Sequence, residues 1–223
     1  MPVAFLELAQ TCAPMVAAET LAAIVTLESR LEPFAIRFNS GAPLSEQPTT
    51  KVEAIEIATS LVAGRQDIQL GLGGIGMEEL RTLKLSISDA FDPCLNVRAT
   101  ATLLDGYYRL AVRAGADPTR AEQVMLQSYY GRGDPSIGTM VKYDEQVRRE
   151  RSRLARTITT LMIGDGGQER GRIEAPLVQA IVDARKDEAQ ANQTVSVPPW
   201  DVFSARRRSS VLVFQNSQME QSE

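Results

Sequence analysis

The sequence predicts a mainly α-helical domain that carries one small β element. Three observations lead there. Apolar residues recur at helical spacing through most of the first 163 positions. Between Pro33 and Pro48 that spacing gives way to an alternation of Phe34, Ile36 and Phe38, followed by the turn sequence Asn39-Ser40-Gly41-Ala42-Pro43. From Asn192 onward the chain is rich in Gln, Ser and Arg with scattered apolar residues, a composition that builds no core.

The elements follow in order. Residues 2 to 11 read as a short helix with Phe5, Leu8 and Ala9 on one side, broken by Pro14. Ala18 to Arg30 is the second helix. Leu21, Ile24 and Val25 share a face with Glu28, because steps of three and four residues stack on a helix. A glutamate on the buried side of a helix is costly unless it is paired or used. In a cleft wall its pKa would rise, so that it donates a proton near neutral pH. The plainer role, a glutamate closing the face of an amphipathic helix, stands beside that one at this point. The alternation after Pro33 predicts a short β-hairpin within 33–48. Thr50 caps a third helix that runs to about Gly64, with Val52, Ile55, Ala58, Leu61 and Val62 at helical spacing.

Asp67 to Gly76 is a brief extended run that dissolves into glycines, ahead of a helix from about Glu78 to Leu83. A glycine-rich turn before a helix invites a phosphate-binding reading. The Lys-Ser/Thr ending is missing, the spacing fits no dinucleotide fingerprint, and no βαβ pattern surrounds it. Glycines also let a backbone approach a ligand closely, which suits a cleft floor. Asp89 to Cys94 is a connector. Val97 to Ala114 and Arg120 to Tyr130 are helices, and the second ends in a turn rich in breakers, Tyr129-Tyr130-Gly131-Arg132-Gly133-Asp134-Pro135. The Arg-Gly-Asp triplet there is short enough to arise by chance and carries no adhesion reading. A single helix is expected from about Ile137 to Ile163, then a linker, a helix over Ile173 to Ala189, and a flexible tail over 192–223. The domains read as 1–163, a linker and short helix over 164–191, and the tail, where Trp200-Asp201-Val202-Phe203 beside Arg206-Arg207-Arg208 is the adhesive part.

Composition narrows the chemistry. Among 223 residues there is no histidine, which removes Ser-His-Asp and Cys-His nucleophiles and histidine-bound metals, so no metal site is expected. Acid–base work falls to carboxylates, Lys, Tyr or Cys. The net charge of −4 announces no nucleic-acid partner, and no apolar run reaches the length of a membrane span. The apolar N-terminus lacks a basic start and is interrupted by Glu7, so it does not read as a secretory signal. Cys12 and Cys94 form no CxxC pair; they are two buried thiols or one disulfide across a long loop. A two-carboxylate glycosidase needs a second acid at fixed separation, and Asp67, Asp89 and Asp92 sit in loops but in no motif. One embedded glutamate with aromatic loops suits a scheme in which a single acid protonates a glycosidic oxygen.

Several blocks together carry a resemblance. Ala22-Ala23-Ile24-Val25-Thr26-Leu27-Glu28-Ser29-Arg30-Leu31-Glu32-Pro33 resembles the Glu-Ser block of lysozyme-like lytic transglycosylases, in particular the peptidoglycan-cleaving component of type IV secretion systems. Gly71-Leu72-Gly73-Gly74-Ile75 is similar to the family's Gly-Leu-Met-Gln-Ile block. Ser128-Tyr129-Tyr130 with Gly131 and Gly133 resembles the Ala-Tyr-Asn-x-Gly block, and Tyr143 with Val147 the closing Tyr-Val block. Cys12 and Cys94 resemble the paired cysteines of the secretion members, and Pro199 to Phe203 a tail segment of some of them. The resemblance covers about residues 5–150. It departs at Gly74, where the family has Gln, at Gly76, where it often has Asn, at Tyr130, which replaces Asn, and at Arg132 in the following turn, so sugar binding is expected to be differently tuned.

The resemblance implies a lysozyme-like α+β fold and a lytic transglycosylase that cleaves the MurNAc-GlcNAc β-1,4 bond to leave a 1,6-anhydromuramoyl end, with no cofactor. Glu28 would be the catalytic acid and base. Ser29, Gly71, Leu72, Ile75, Tyr129, Tyr130 and Tyr143 would bind substrate or hold the glutamate, and Cys12 and Cys94 would form a disulfide. It also implies the periplasm, peptidoglycan strands as partner, and secretion-system assembly proteins met through the tail. The alternatives are a catalytically weakened wall-binding assembly protein on the same scaffold and a hydrolase of lysozyme type.

Overall fold

The computed structural model describes residues 3–39 and 43–164. The expected helix over 173–189, the tail over 192–223 and part of the turn at 39–43 lie outside the described residues. The rest is a mainly helical unit with a small antiparallel sheet. Strand β1 (Val3–Ala4) leads into helix α1 (Phe5–Cys12), and helix α2 (Ala18–Ser29) follows. Eight of the residues of α2 are buried, Glu28 and Ser29 among them, so the helix is enclosed rather than amphipathic. It stops at Arg30, which adopts a left-handed conformation (φ 57°), and Leu31 repeats it (φ 67°). Two successive left-handed residues without glycine are strained and turn the chain sharply. Strand β2 (Ile36–Phe38) then returns close to the end of α2.

The hairpin expected within 33–48 does not form. Strand β2 pairs instead with β3 (Ile68–Leu70), about thirty residues on, and β3 pairs with β4 (Ile75–Gly76), so the hairpin of this sheet is β3–β4. On the outer edge of β2 a single side chain stands in for a strand. The Gln47 amide accepts from Ile36 N at 2.9 Å and donates to Ile36 O at 3.0 Å. That satisfies both backbone groups without a second arm.

Helix α3 (Lys51–Ala63) starts on the Thr50 side chain, which accepts from Glu53 N. Short helices α4 (Met77–Thr82) and α5 (Ile87–Ala90) follow β4, and α5 opens on a capping box of Ser86 and Asp89, so the connector expected from Asp89 to Cys94 takes in the end of α5 and the first residues of the next helix. Helix α6 (Pro93–Arg113) begins with Asp92 as N-cap and Pro93 in its first turn, and α7 (Pro118–Tyr130) repeats that device with Asp117 and Pro118. The single helix expected from 137 to 163 is interrupted. Helix α8 (Pro135–Met140) ends near Lys142, which is left-handed (φ 53°), and α9 (Tyr143–Leu154) starts in a new direction. A 3-10 turn and strand β5 (Met162–Ile163) follow, and β5 pairs with β1. That long-range pairing, rather than local periodicity, decides the conformation of the last described residues.

Two hydrophobic clusters organise the unit. One gathers α1, α2, α6, α7 and α9 around Phe5, Leu21, Ile24, Leu72, Leu104 and Leu126. The other packs the sheet against α3, α4 and α5 through Ile36, Ile68, Leu70, Leu80 and Phe91. The Cys12–Cys94 disulfide (Cα–Cα 5.4 Å) joins the end of α1 to the start of α6.

Candidate active site

Glu28 lies in the last turn of α2 and is 6% exposed. Its carboxylate is held at both oxygens. The Tyr143 hydroxyl donates to Oε1 at 2.6 Å, and Arg37 Nη1 lies 2.8 Å from Oε2. The same Arg37 nitrogen donates to the Glu28 carbonyl at 2.9 Å, a group left open at the helix C-terminus. Arg37 therefore fixes both the helix end and the side chain on it. Burial raises the Glu28 carboxyl above its ordinary value; the charge of Arg37 and the hydrogen bonds from Tyr143 and Arg37 oppose this, and burial wins. Burial, the neighbouring Glu28 and the hydrogen bond to it push the Tyr143 phenol up, so it stays protonated and donates.

The glutamate opens on a narrow cleft. Gln69, Gly74, Ile75 and Gly76 of the β3–β4 hairpin line it, with Glu79 of α4, and Tyr129, Tyr130 and Arg132 from the end of α7. The hairpin turn is pinned from behind by one side chain. Asn96 of α6 accepts from Gly73 N at 2.7 Å and donates to Leu70 O at 3.1 Å and Ala90 O at 2.8 Å. The Tyr129 hydroxyl donates to Gly73 O at 2.6 Å. Gly71 is left-handed (φ 71°), and a Cβ there would run into Ala90 O and the Asn96 side chain, so the turn requires glycine at that place.

Among the residues singled out from the sequence, Ile75, Tyr129 and Tyr130 share the cleft with Glu28, and Tyr143 reaches its carboxylate. The Tyr130 and Tyr143 rings pack with centroids 4.9 Å apart. Three others are not cleft residues. The Ser29 hydroxyl, expected near the carboxylate, donates to Val25 O at 3.0 Å, the usual recourse of a serine inside a helix. Leu72 is fully buried in the helical core, and Gly71 serves the turn. Sequence reading missed Arg37, Gln69, Glu79 and Asn96. Alternation after Pro33 places Arg37 on the face opposite Ile36, but nothing local says that this face meets Glu28. Among the described residues no three Cys, Asp or Glu side chains gather into a metal-binding set, and no helix is long and apolar enough to cross a membrane.

No family model matches the chain, and no solved structure matches it significantly. Relatives among characterised proteins are clearer. The type IV secretion system protein VirB1 of Brucella abortus is 41% identical over 110 residues, 49% of this chain and 46% of that protein. Over that stretch the chain is similar to VirB1. Protein VirB1 of Agrobacterium fabrum is 31% identical over 165 residues, covering 71% of this chain and 64% of its own. VirB1 of Rhizobium radiobacter is 27% identical over 210 residues, with 92% and 74% covered. The chain spans about half the length of the Brucella VirB1 proteins it matches. These relatives bear out the resemblance to a type IV secretion component that the ordered blocks carry.

Proposed function

We propose that the chain is a peptidoglycan lytic transglycosylase that opens the cell wall locally for a type IV secretion apparatus. The observation that carries this reading is a buried glutamate with a raised pKa, gripped by Tyr143 and Arg37 at the edge of a cleft, in a relative of VirB1. Protonated Glu28 donates to the glycosidic oxygen as the C1–O bond breaks. The carboxylate left behind faces the positive ring. It then takes the proton of the muramoyl C6 hydroxyl as that oxygen attacks C1, which closes the 1,6-anhydro ring and restores the acid. No water enters the products. Tyr143 and Arg37 stabilise the carboxylate between the two proton transfers, and Tyr129, Tyr130 and Ile75 pack beside the sugars. Acid–base assistance of this kind is worth about 10²–10⁴-fold in rate.

The unit that does this is residues 1–163, a reading supported by the pairing of β1 with β5, and residues 192–223 meet assembly partners. The Cys12–Cys94 disulfide supports an oxidising compartment, the periplasm. A weakened wall-binding assembly protein is the second reading. Two observations favour it: the Arg37 ion pair, which works against the protonated form of Glu28, and Gly74, which offers the cleft no side chain. Mass spectrometry of digested sacculi separates the readings. Anhydro ends released by the wild type and lost in Glu28→Gln support the transglycosylase. Reducing ends indicate a lysozyme-type hydrolase, and no ends at all indicate the binding protein.

A further inference from the structure

Free space in the cleft amounts to about 20 Å³, room for one water and too little for a sugar ring. A cleft that takes a glycan strand has to open first, and one side chain closes it. Arg132 stands in the turn after α7, and its guanidinium reaches across to the hairpin and to α4. Nη1 lies 3.0 Å from Asp67 Oδ1, and Nε lies 4.0 Å from Glu79 Oε1. Asp67 stands just before β3, 65 residues away in the chain, so the pair ties the end of α7 to the hairpin.

The sheet register shows where the guanidinium lies. Arg37 stands opposite Gln69 and Gln69 opposite Gly76, so the three form one row across the sheet. Asp67, two residues before Gln69, falls on the same face by alternation. A Cβ at Gly76 would lie 2.9 Å from Arg132 Cζ and 3.0 Å from Arg132 Nη2. The guanidinium therefore rests against the bare backbone of Gly76, in room that any other residue would fill. Gly76 and Arg132 are two of the positions at which the sequence departs from the blocks it resembles. The structure joins them, since the missing side chain at one is the seat of the other.

The closed arrangement leaves polar groups dry. Gln69 Oε1, Glu79 Oε2 and Arg132 Nη2 are buried without a hydrogen-bond partner among the described residues. Buried polar groups are nearly always satisfied, so a shut cleft forgoes hydrogen bonds that an open one regains from solvent. The pair that shuts it is weak, because Asp67 is 59% exposed and Arg132 27%. The turn itself is held by Gly133 N donating to Ser128 O at 2.8 Å and Asp134 N to Gly131 O at 3.1 Å. Rotation of the arginine side chain is then enough to empty the space, with the backbone in place. We propose that Arg132 is an autoinhibitory clasp: paired with Asp67, its guanidinium occupies the cleft beside Glu28 and shuts it until the pair parts and a glycan enters. The clasp rests on the glycan-cleaving reading above.

The test is calorimetric binding of a tetramer of N-acetylglucosamine, an uncharged glycan, to the full chain and to Asp67→Asn. Asn keeps the shape of the side chain and removes the charge that holds Arg132, and Asp67 itself lies outside the cleft lining. A protein whose open form is a minority binds more weakly by that fraction, so Asp67→Asn is expected to bind the tetramer about threefold more tightly than the wild type. Raising salt from about 0.01 M to about 0.1 M should tighten binding by the wild type and leave the variant where it was. Thermal melts should place the variant within about 2 °C of the wild type. Equal or weaker binding by Asp67→Asn overturns the clasp while the glycan reading stands, and so does a salt response of the same size in both proteins. A variant that melts far below the wild type makes the pair structural and overturns the clasp as well. Failure of both proteins to bind the tetramer sinks the glycan reading, and the clasp with it.

Discussion

The proposed chemistry rests on Glu28, whose environment makes opposed demands on it. Burial favours the neutral acid, and Arg37 favours the carboxylate. Removing Arg37 leaves burial less opposed, so Arg37→Met should move the alkaline fall of the pH–rate profile to higher pH. A carbon-13 titration of the Glu28 carboxyl in the free protein should show the same direction. A midpoint that does not move would deny Arg37 its hold on the acid. Stability gives a second handle. Below pH 4.5, the ordinary value, the carboxyl is protonated in the folded and unfolded chain alike and contributes little. As pH rises past that value, the unfolded chain releases its proton before the folded one does, and wild type loses stability relative to Glu28→Gln. Thermal melts should therefore show Glu28→Gln gaining on wild type from pH 4 to pH 7. A gap that closes over that range would contradict a raised pKa. The glutamate was legible because it breaks the apolar face of α2. Arg37 was not, because its role depends on where a strand nine residues later is laid down.

The β3–β4 hairpin is the element on which the cleft depends. Asn96 holds its turn with three hydrogen bonds and is itself 1% exposed. Asn96→Ala strands Gly73 N, Leu70 O and Ala90 O in a buried place, at about 1–3 kcal/mol for each group left dry. Denaturant melts should show a loss of roughly 3 kcal/mol or more, with activity falling together with stability. Gly74 tests the hairpin from the cleft side. It is left-handed (φ 65°), and an added methyl would press on Glu28 Oε2. Gly74→Ala should lower kcat with a smaller loss of stability, measured by sacculus digestion beside a thermal melt. The glycines announced a close approach in the sequence, but not what approaches. The strand after Pro33 was legible as extended, yet its partner was placed too near. Alternation reports that a segment is a strand and is silent on which strand it pairs with, and a lone glutamine supplied the edge that a second arm would have supplied.

On the scale of the molecule, the chain joins a helical cluster to a sheet cluster, with the cleft where Glu28 of the first meets Gln69 and Gly74 of the second. The Cys12–Cys94 bridge closes a loop of 82 residues, and in the chain-entropy model such a loop is worth roughly 4–5 kcal/mol. Cys12→Ala with Cys94→Ala should therefore melt about 10 °C below the oxidised wild type, and the reduced wild type should match the double variant. An unchanged melting temperature would assign the bridge no part in stability. The sequence by itself determined the helical character, the placement of most helices and a glutamate on the apolar face of α2, because apolar spacing, caps and breakers act over a few residues; Tyr143 was picked out only by the resemblance of its block to that of the lytic transglycosylases. The tertiary structure decided the rest. The break at Lys142 that aims Tyr143, the pairing of β2 with β3 and of β1 with β5, the row from Arg37 to Gly76 and the unpartnered atoms over it are all contacts between residues distant in the chain. No local pattern encodes which distant face a side chain will meet, because that is settled when the two hydrophobic clusters close against each other.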